Sequence, residues 1–285
     1  MPVLTPEDHA FFAQNGYVVV HHVVPQENLD AVIAAIWEFL EMDPDDPEDW
    51  YREPLRTNGM VEMYQHPAMW NNRQHPRIYQ AFAEILGTER LWVSIDRVCM
   101  KPPRHPAHPE YDNKGFIHWD ADTTRLPLPL SVQGVLCLAD TDIDQGGFQC
   151  VPALFRDFDA WLAAQPPDRN PFQPDLTGLQ IEPIPGKAGD LIIWNRLLAH
   201  GNGHNVSAKP RFAQYISMFE AKPQVSLADG WGGDREARIR QWQNRTPPDA
   251  KWAPGDPRQW EQQHGKTAEL TPLGRKLLGI DAWEA

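Results

Sequence analysis

The chain has 285 residues, 41% of them hydrophobic, enough for a sizeable core. Lys and Arg total 26 against 39 Asp and Glu, and a net charge of −13 argues against nucleic acid as a partner, since it repels phosphate backbones. No run approaches the ~18 consecutive apolar residues of a membrane span, so no membrane partner is expected.

Thr5-Pro6-Glu7-Asp8 reads as a capped helix start, stopped at Asn15-Gly16. Tyr17 to Val24 is β-branched and extended. Pro25 opens a second helix, with Leu29, Val32, Ile33, Ile36 and Leu40 recurring on one face. Residues 43–76 lose all period and read either as a lid or as an ordinary surface excursion. Ile78 to Leu86 is a short helix closed by Gly87. From 91 to 220 strand signals dominate: Leu91 to Met100, Gly115 to Asp120, Leu130 to Ala139, Phe148 to Val151, Leu191 to Asn195 and Arg211 to Phe219. Beyond 221 the chain turns charged and helical, as in Asp234 to Asn244, and Thr271-Pro272 starts a last helix ending near Gly279. The expected class is mainly β with flanking helices. The expected organisation is one domain over 1–285, made of N-terminal helices and a possible lid (1–90), a β core (91–220) and a helical extension (221–285). Cys99, Cys137 and Cys150 are odd in number and far apart, as in core packing, not a disulfide framework. With no basic and apolar leader at the N-terminus, a cytoplasmic location is expected.

Chemistry concentrates in three places. His118 and Asp120 stand two apart on an expected strand, so an imidazole and a carboxylate share one side. His108-Pro109-Glu110 has the same spacing but lies in a proline-rich loop without a strand to align it. An apolar strand from Gly189-Asp190 runs into His200-Gly-Asn-Gly-His204-Asn205, where His200 offers a third ligand. Two histidines and one carboxylate on one face form the facial triad of non-haem iron(II) oxygenases. Eleven residues on, Arg211 opens a strand sharing a face with Ala213, Tyr215 and Ser217, and its guanidinium can grip a carboxylate through two parallel bonds. In this setting that is the distal carboxylate of 2-oxoglutarate, with Tyr215 or Ser217 adding a hydroxyl. Gln133 is a further candidate for the cofactor or substrate, and Arg97, His204 and Trp119 are candidates for the substrate. For these the ordinary readings are packing, an edge-facing arginine and a surface histidine.

These motifs, with Phe12 to Val18 at the start, resemble the phytanoyl-CoA dioxygenase family of iron(II)/2-oxoglutarate oxygenases across roughly residues 5–220. The resemblance implies a double-stranded β-helix (jelly-roll, cupin-like) core, with iron(II) on His118, Asp120 and His200. It implies 2-oxoglutarate and O2 as co-substrates, and oxidation of a small molecule with release of succinate and carbon dioxide. Asp120 stands where related halogenases lack a carboxylate, which implies hydroxylation. The chain departs from the family after Gly146 to Pro152, where Ala153-Leu154-Phe155 replaces the common Gly-Ser-His, so an acyl-CoA substrate does not carry over. Two other classes stay open: a non-catalytic ligand-binding β-helix protein, and a cupin-like metalloenzyme that does not use 2-oxoglutarate.

Overall fold

The computed structural model of the protein describes residues 2–222 and 234–284. The N-terminal half of the fold follows its local signals. Helix α1 (Pro6–Asn15) starts with a capping box, in which Thr5 Oγ1 accepts from the Asp8 amide and Asp8 accepts from the Thr5 amide. It stops at Gly16, whose φ of 77° suits glycine. Strand β1 (Tyr17–Val20) is shorter than expected. Helix α2 (Gln26–Leu40) buries Leu29, Val32, Ile36, Phe39 and Leu40. Helices α3 (Pro67–Arg73) and α4 (Pro76–Leu86) complete one layer.

A six-stranded antiparallel sheet carries the core. Its order is β1, β8 (Leu191–Asn195), β5 (Val132–Cys137), β10 (Arg211–Tyr215), β4 (Val98–Lys101) and β2 (Met60–Val61). A second sheet has the order β7 (Glu182–Pro183), β6 (Phe148–Cys150) and β9 (His200–Asn202). Strands β3 (Leu91–Val93) and β11 (Met218–Glu220) form a separate pair. The strand period of two sorts the large sheet's side chains. Leu136, Leu191, Ile193 and Phe212 join the core with the helices. Val135, Cys137, Ile192, Trp194 and Ala213 turn the other way and pack with Phe148 and Cys150 of the second sheet. Burial on both faces explains why these strands read as nearly unbroken apolar runs. Gln133, Arg211 and Tyr215 share the inner side with Val135 and Ala213, which aims their polar groups between the sheets.

Several expectations need correcting. Residues 115–120 are not a strand: only His118 pairs, through mutual backbone bonds with His200 of 2.9 and 3.0 Å. The ladder stops because the Trp119 amide bonds instead to the Phe172 carbonyl. The 91–100 and 211–219 runs each break in two, where the chain passes from the large sheet to the β3/β11 pair. Segment 43–76 does not stand off the surface. Trp50, Tyr51, Leu55, Met63, Tyr64, Met69 and Trp70 are buried, and β2 extends the large sheet at its edge. The expected helical extension is present as α7 (Arg235–Asn244), α8 (Trp260–His264) and α9 (Pro272–Leu278); the part of it at 223–233 lies outside the described residues. Short helices α5 (Pro152–Arg156) and α6 (Phe158–Ala163), which carry no strong periodic signal, follow β6.

The extension is clasped to the rest through buried polar groups. Glu261 accepts from the Tyr64 and Gln65 amides at 2.7 and 2.8 Å. Arg238 donates to the carbonyls of Val93, Leu277 and Leu278. All three cysteines are buried free thiols. Among the described residues no helix is long and apolar enough to cross a membrane.

Candidate active site

The His118–His200 bridge brings two imidazoles 82 positions apart in the chain to a ring separation of 4.7 Å. Two glycines allow the approach: a Cβ at Gly201 would sit 2.0 Å from the Phe116 carbonyl oxygen, and one at Gly115 would sit 1.7 Å from that of Asn202. Asp120 closes the group. Its Oδ1 lies 3.4 Å from His118 Nε2 and its Oδ2 3.5 Å from His200 Nε2. The ligand atoms of the three residues all fall within 4.8 Å of one another. Adjacent donors around an ion with bonds of ~2.1 Å lie ~3 Å apart, so the set fits one first-row metal ion.

The surroundings tune these donors. His200 Nδ1 sits 2.9 Å from the Leu198 carbonyl, which fixes the hydrogen on Nδ1 and leaves the Nε2 lone pair facing Asp120. Burial works to raise the Asp120 pKa, but wherever the imidazoles carry the extra proton, in the place a metal ion would take, their hydrogen bonds and charge outweigh it and hold the carboxyl well below its usual range. Gln133 orients the carboxylate: its Nε2 donates to Asp120 Oδ2 at 2.7 Å, while its Oε1 accepts from Trp194 Nε1 at 3.2 Å.

A cavity of about 400 Å³ opens onto the triad. Of the residues picked out from sequence, Gln133, Tyr215, Ser217 and Arg97 line it with His118, Asp120 and His200. Arg211 stands behind the wall and is 2% exposed. Its Nη1 donates to Asn202 Oδ1 at 3.0 Å, and Asn202 Nδ2 donates to the Tyr215 hydroxyl at 3.1 Å; Asn202 and Tyr215 both line the cavity. Among the described residues no carboxylate pairs with Arg211 within 4.0 Å. Tyr215 does not neutralise it, because burial raises the phenol pKa and keeps it protonated at neutral pH.

The remaining candidates lie elsewhere. Trp119 is 1% exposed and packs against Phe158 and Trp161, with its indole N–H on the Leu197 carbonyl at 2.8 Å. His204 is paired with Asp112. His108 sits 3.3 Å from Glu110 in a surface group with His105 and Glu48, none of which lines the cavity. The cavity also takes in residues that sequence reasoning passed over: Met60, Asp96, Trp194, Arg196, Asn202 and Trp252. Asp96 adjoins Arg97 and Asn202 lies inside the His-Gly-Asn-Gly turn, so both were within reach of local inspection. Trp252, far along the chain, was not. Burial pushes the Asp96 carboxyl up to about 6 despite the neighbouring Arg97 and Arg73.

The sequence profile of the family described as Phytanoyl-CoA dioxygenase (PhyH) matches residues 12–213. The chain belongs to the phytanoyl-CoA dioxygenase family. As a member it is an oxidoreductase of the iron- and 2-oxoglutarate-dependent oxygenase class, with O2 as the other co-substrate. A provisionally named phytanoyl-CoA dioxygenase of Dictyostelium discoideum is 22% identical over 260 residues, 74% of each chain. The ectoine dioxygenase of Bordetella bronchiseptica is 25% identical over 231 residues, 73% of each. Among solved structures, the GlcNAc Inducible Gene 2 protein of Candida albicans superposes with a TM-score of 0.72 at 12% identity, over 99% of this chain and 78% of that one. The epimerase SnoN, in complex with Fe3+, alpha ketoglutarate and nogalamycin RO, gives 0.53 at 18% identity, over 75% of this chain and 83% of that one. These likenesses place the two antiparallel sheets in the jelly-roll, cupin-like fold of the family.

Proposed function

We propose that this family member hydroxylates a small-molecule metabolite at an iron(II) centre held by His118, Asp120 and His200, with Arg211 gripping the distal carboxylate of 2-oxoglutarate. The observation that carries the reading is the triad on the cavity wall together with a buried guanidinium that stands one hydrogen bond behind that wall, on Asn202, and has no carboxylate partner among the described residues. Iron with 2-oxoglutarate and O2 supplies the oxidising power, and the co-substrate leaves as succinate and carbon dioxide.

The protein's own residues position and shield. His200 presents Nε2 because Leu198 holds its other nitrogen. Gln133 keeps Asp120 turned toward the two imidazoles. Asn202 and Tyr215 orient Arg211, and Ser217 adds a hydroxyl on the same wall. Because Asp120 supplies the third ligand, the reading favours hydroxylation over halogenation. Trp194 and Trp252 line the cavity, and their apolar rings would limit the water in it once substrate is bound. Trp252 comes from the C-terminal extension, which supports 1–285 acting as one catalytic unit. Relatives named for ectoine and a neighbour bound to a nogalamycin compound support a small-molecule substrate.

The test needs no substrate. Under anaerobic conditions the protein is titrated with iron(II) and 2-oxoglutarate, and the visible charge-transfer absorption of the chelate is recorded. The band is expected in the wild type and is expected to vanish in His200→Ala. If iron binds and no band forms, 2-oxoglutarate is not the co-substrate at this site, and a cupin-like metalloenzyme takes its place.

A further inference from the structure

Arg196 lies four residues before His200, in the turn joining β8 to β9. Its Nη2 donates to the backbone carbonyl of Asp120. Among the described residues this is the one hydrogen bond of its guanidinium. Its Nε is buried without a partner, and no carboxylate oxygen lies within 4.0 Å. The side chain lines the cavity beside the triad.

The other charges on this wall are balanced locally. Arg97 Nη1 pairs with Glu62 at 2.9 Å, and its Nε lies 4.0 Å from Asp96. Asp96 in turn accepts from the Arg97 amide at 2.7 Å. Arg211 stands behind Asn202 and Tyr215 and does not line the cavity. Arg196 is thus a cation on the cavity wall with only a neutral acceptor, and a partly buried cation of that kind gains from an incoming anion.

We propose that Arg196 binds a carboxylate of the primary substrate, so that the molecule oxidised is a small carboxylic acid. This rests on the function proposed above. Arg196 Nη1 has no hydrogen bond among the described residues and is not sealed off as Nε is, and a guanidinium N–H there suits a carboxylate oxygen. A phosphate dianion fits poorly, because Asp96 and Asp120 share the same cavity. Size points the same way. About 400 Å³ is near the lower end of the ~300–1,000 Å³ typical of ligand pockets, and 2-oxoglutarate must share it. Fixing the acid beside the Asp120 carbonyl holds the rest of the substrate next to the iron ligands.

The full chain, loaded anaerobically with iron(II) and 2-oxoglutarate, is titrated calorimetrically at millimolar concentration with three matched pairs: acetate and acetamide, benzoate and benzamide, indole-3-acetate and indole-3-acetamide. At least one acid is expected to bind, and its amide about tenfold or more weaker, as for loss of a charge-assisted hydrogen bond. Arg196→Gln should erase the preference, and Arg196→Lys should restore part of it. Equal binding of acid and amide, or binding of no acid, overturns the proposal. So does a rise of about tenfold or more in the 2-oxoglutarate dissociation constant of Arg196→Gln, which would give Arg196 to the co-substrate. If the wild type forms no chelate band, the functional reading fails instead. The same pairs titrated into iron-free protein then decide Arg196: an acid preference lost in Arg196→Gln upholds its role, and none overturns it.

Discussion

Replacing Arg211 by methionine separates a structural role from a binding one, because the two predict opposite effects. The guanidinium is 2% exposed and its neighbours are neutral: Asn202 at 3.0 Å, the Tyr215 phenol and the Cys99 thiol at 3.8 Å. A buried cation without a counter-charge carries a desolvation penalty of several kcal/mol, and an apolar chain of similar length removes it. The protein without 2-oxoglutarate should therefore lose no more than about 1 kcal/mol on Arg211→Met, the residual cost being the unpaired Asn202 oxygen. Binding should suffer far more. Two charge-assisted bonds at about 1.5–3 kcal/mol each give a loss of roughly 3–6 kcal/mol, or about 10²- to 10⁴-fold in affinity. At a 2-oxoglutarate concentration of ~100 times the wild-type dissociation constant, the wild type gains about 2.7 kcal/mol of stability and the variant almost none. Urea unfolding with iron(II), with and without 2-oxoglutarate, under nitrogen, reads both quantities. A variant that unfolds far more readily on its own, yet is stabilised by 2-oxoglutarate as much as the wild type, would refute the reasoning.

Two further outcomes follow from buried groups. Burial lifts the Glu261 carboxyl from 4.5 to about 7, against the lowering effect of its bonds to the Tyr64 and Gln65 amides. Because the folded value is the higher one, the folded state holds the proton more tightly, and stability from this group falls as pH rises from about 4.5 through about 7, by roughly 3 kcal/mol. The stability of the wild type relative to Glu261→Gln should fall accordingly between about pH 5 and about pH 8 in urea titrations; a constant difference would place the ionised carboxylate at no disadvantage. Trp119→Ala should cost about 3–5 kcal/mol as a large core truncation, with Trp119→Phe recovering part of it. If stability holds and only substrate affinity changes, Trp119 is a binding residue after all.

Much of the site was legible because short-range chemistry writes it into the chain. His118 and Asp120 were named from a spacing of two that assumed a strand, although it is the isolated bridge of His118 to His200 that sets the pair in place; an apolar strand led to His200, and the strand after it opened on Arg211. Capping residues and glycines likewise marked α1, α4 and α9 within a residue or two. What the sequence could not express were facts of meeting. Residues 115–120 read as a strand from composition, but strand pairing depends on a partner, and only His118 found one in His200. Segment 43–76 has no period because its apolar residues fill gaps between layers instead of covering one face, so burial there is set by what surrounds it. Gln133 and Asn202 are unremarkable polar residues until Trp194, Asp120, Arg211 and Tyr215 are brought against them. Residue types and local spacing determined which donors exist and which side of a strand they share. Tertiary packing alone decided which cations keep a counter-charge: Arg97 meets Glu62 across 35 positions of chain, while Arg196 and Arg211 meet none among the described residues, and that difference is the ground on which both are proposed to bind ligands.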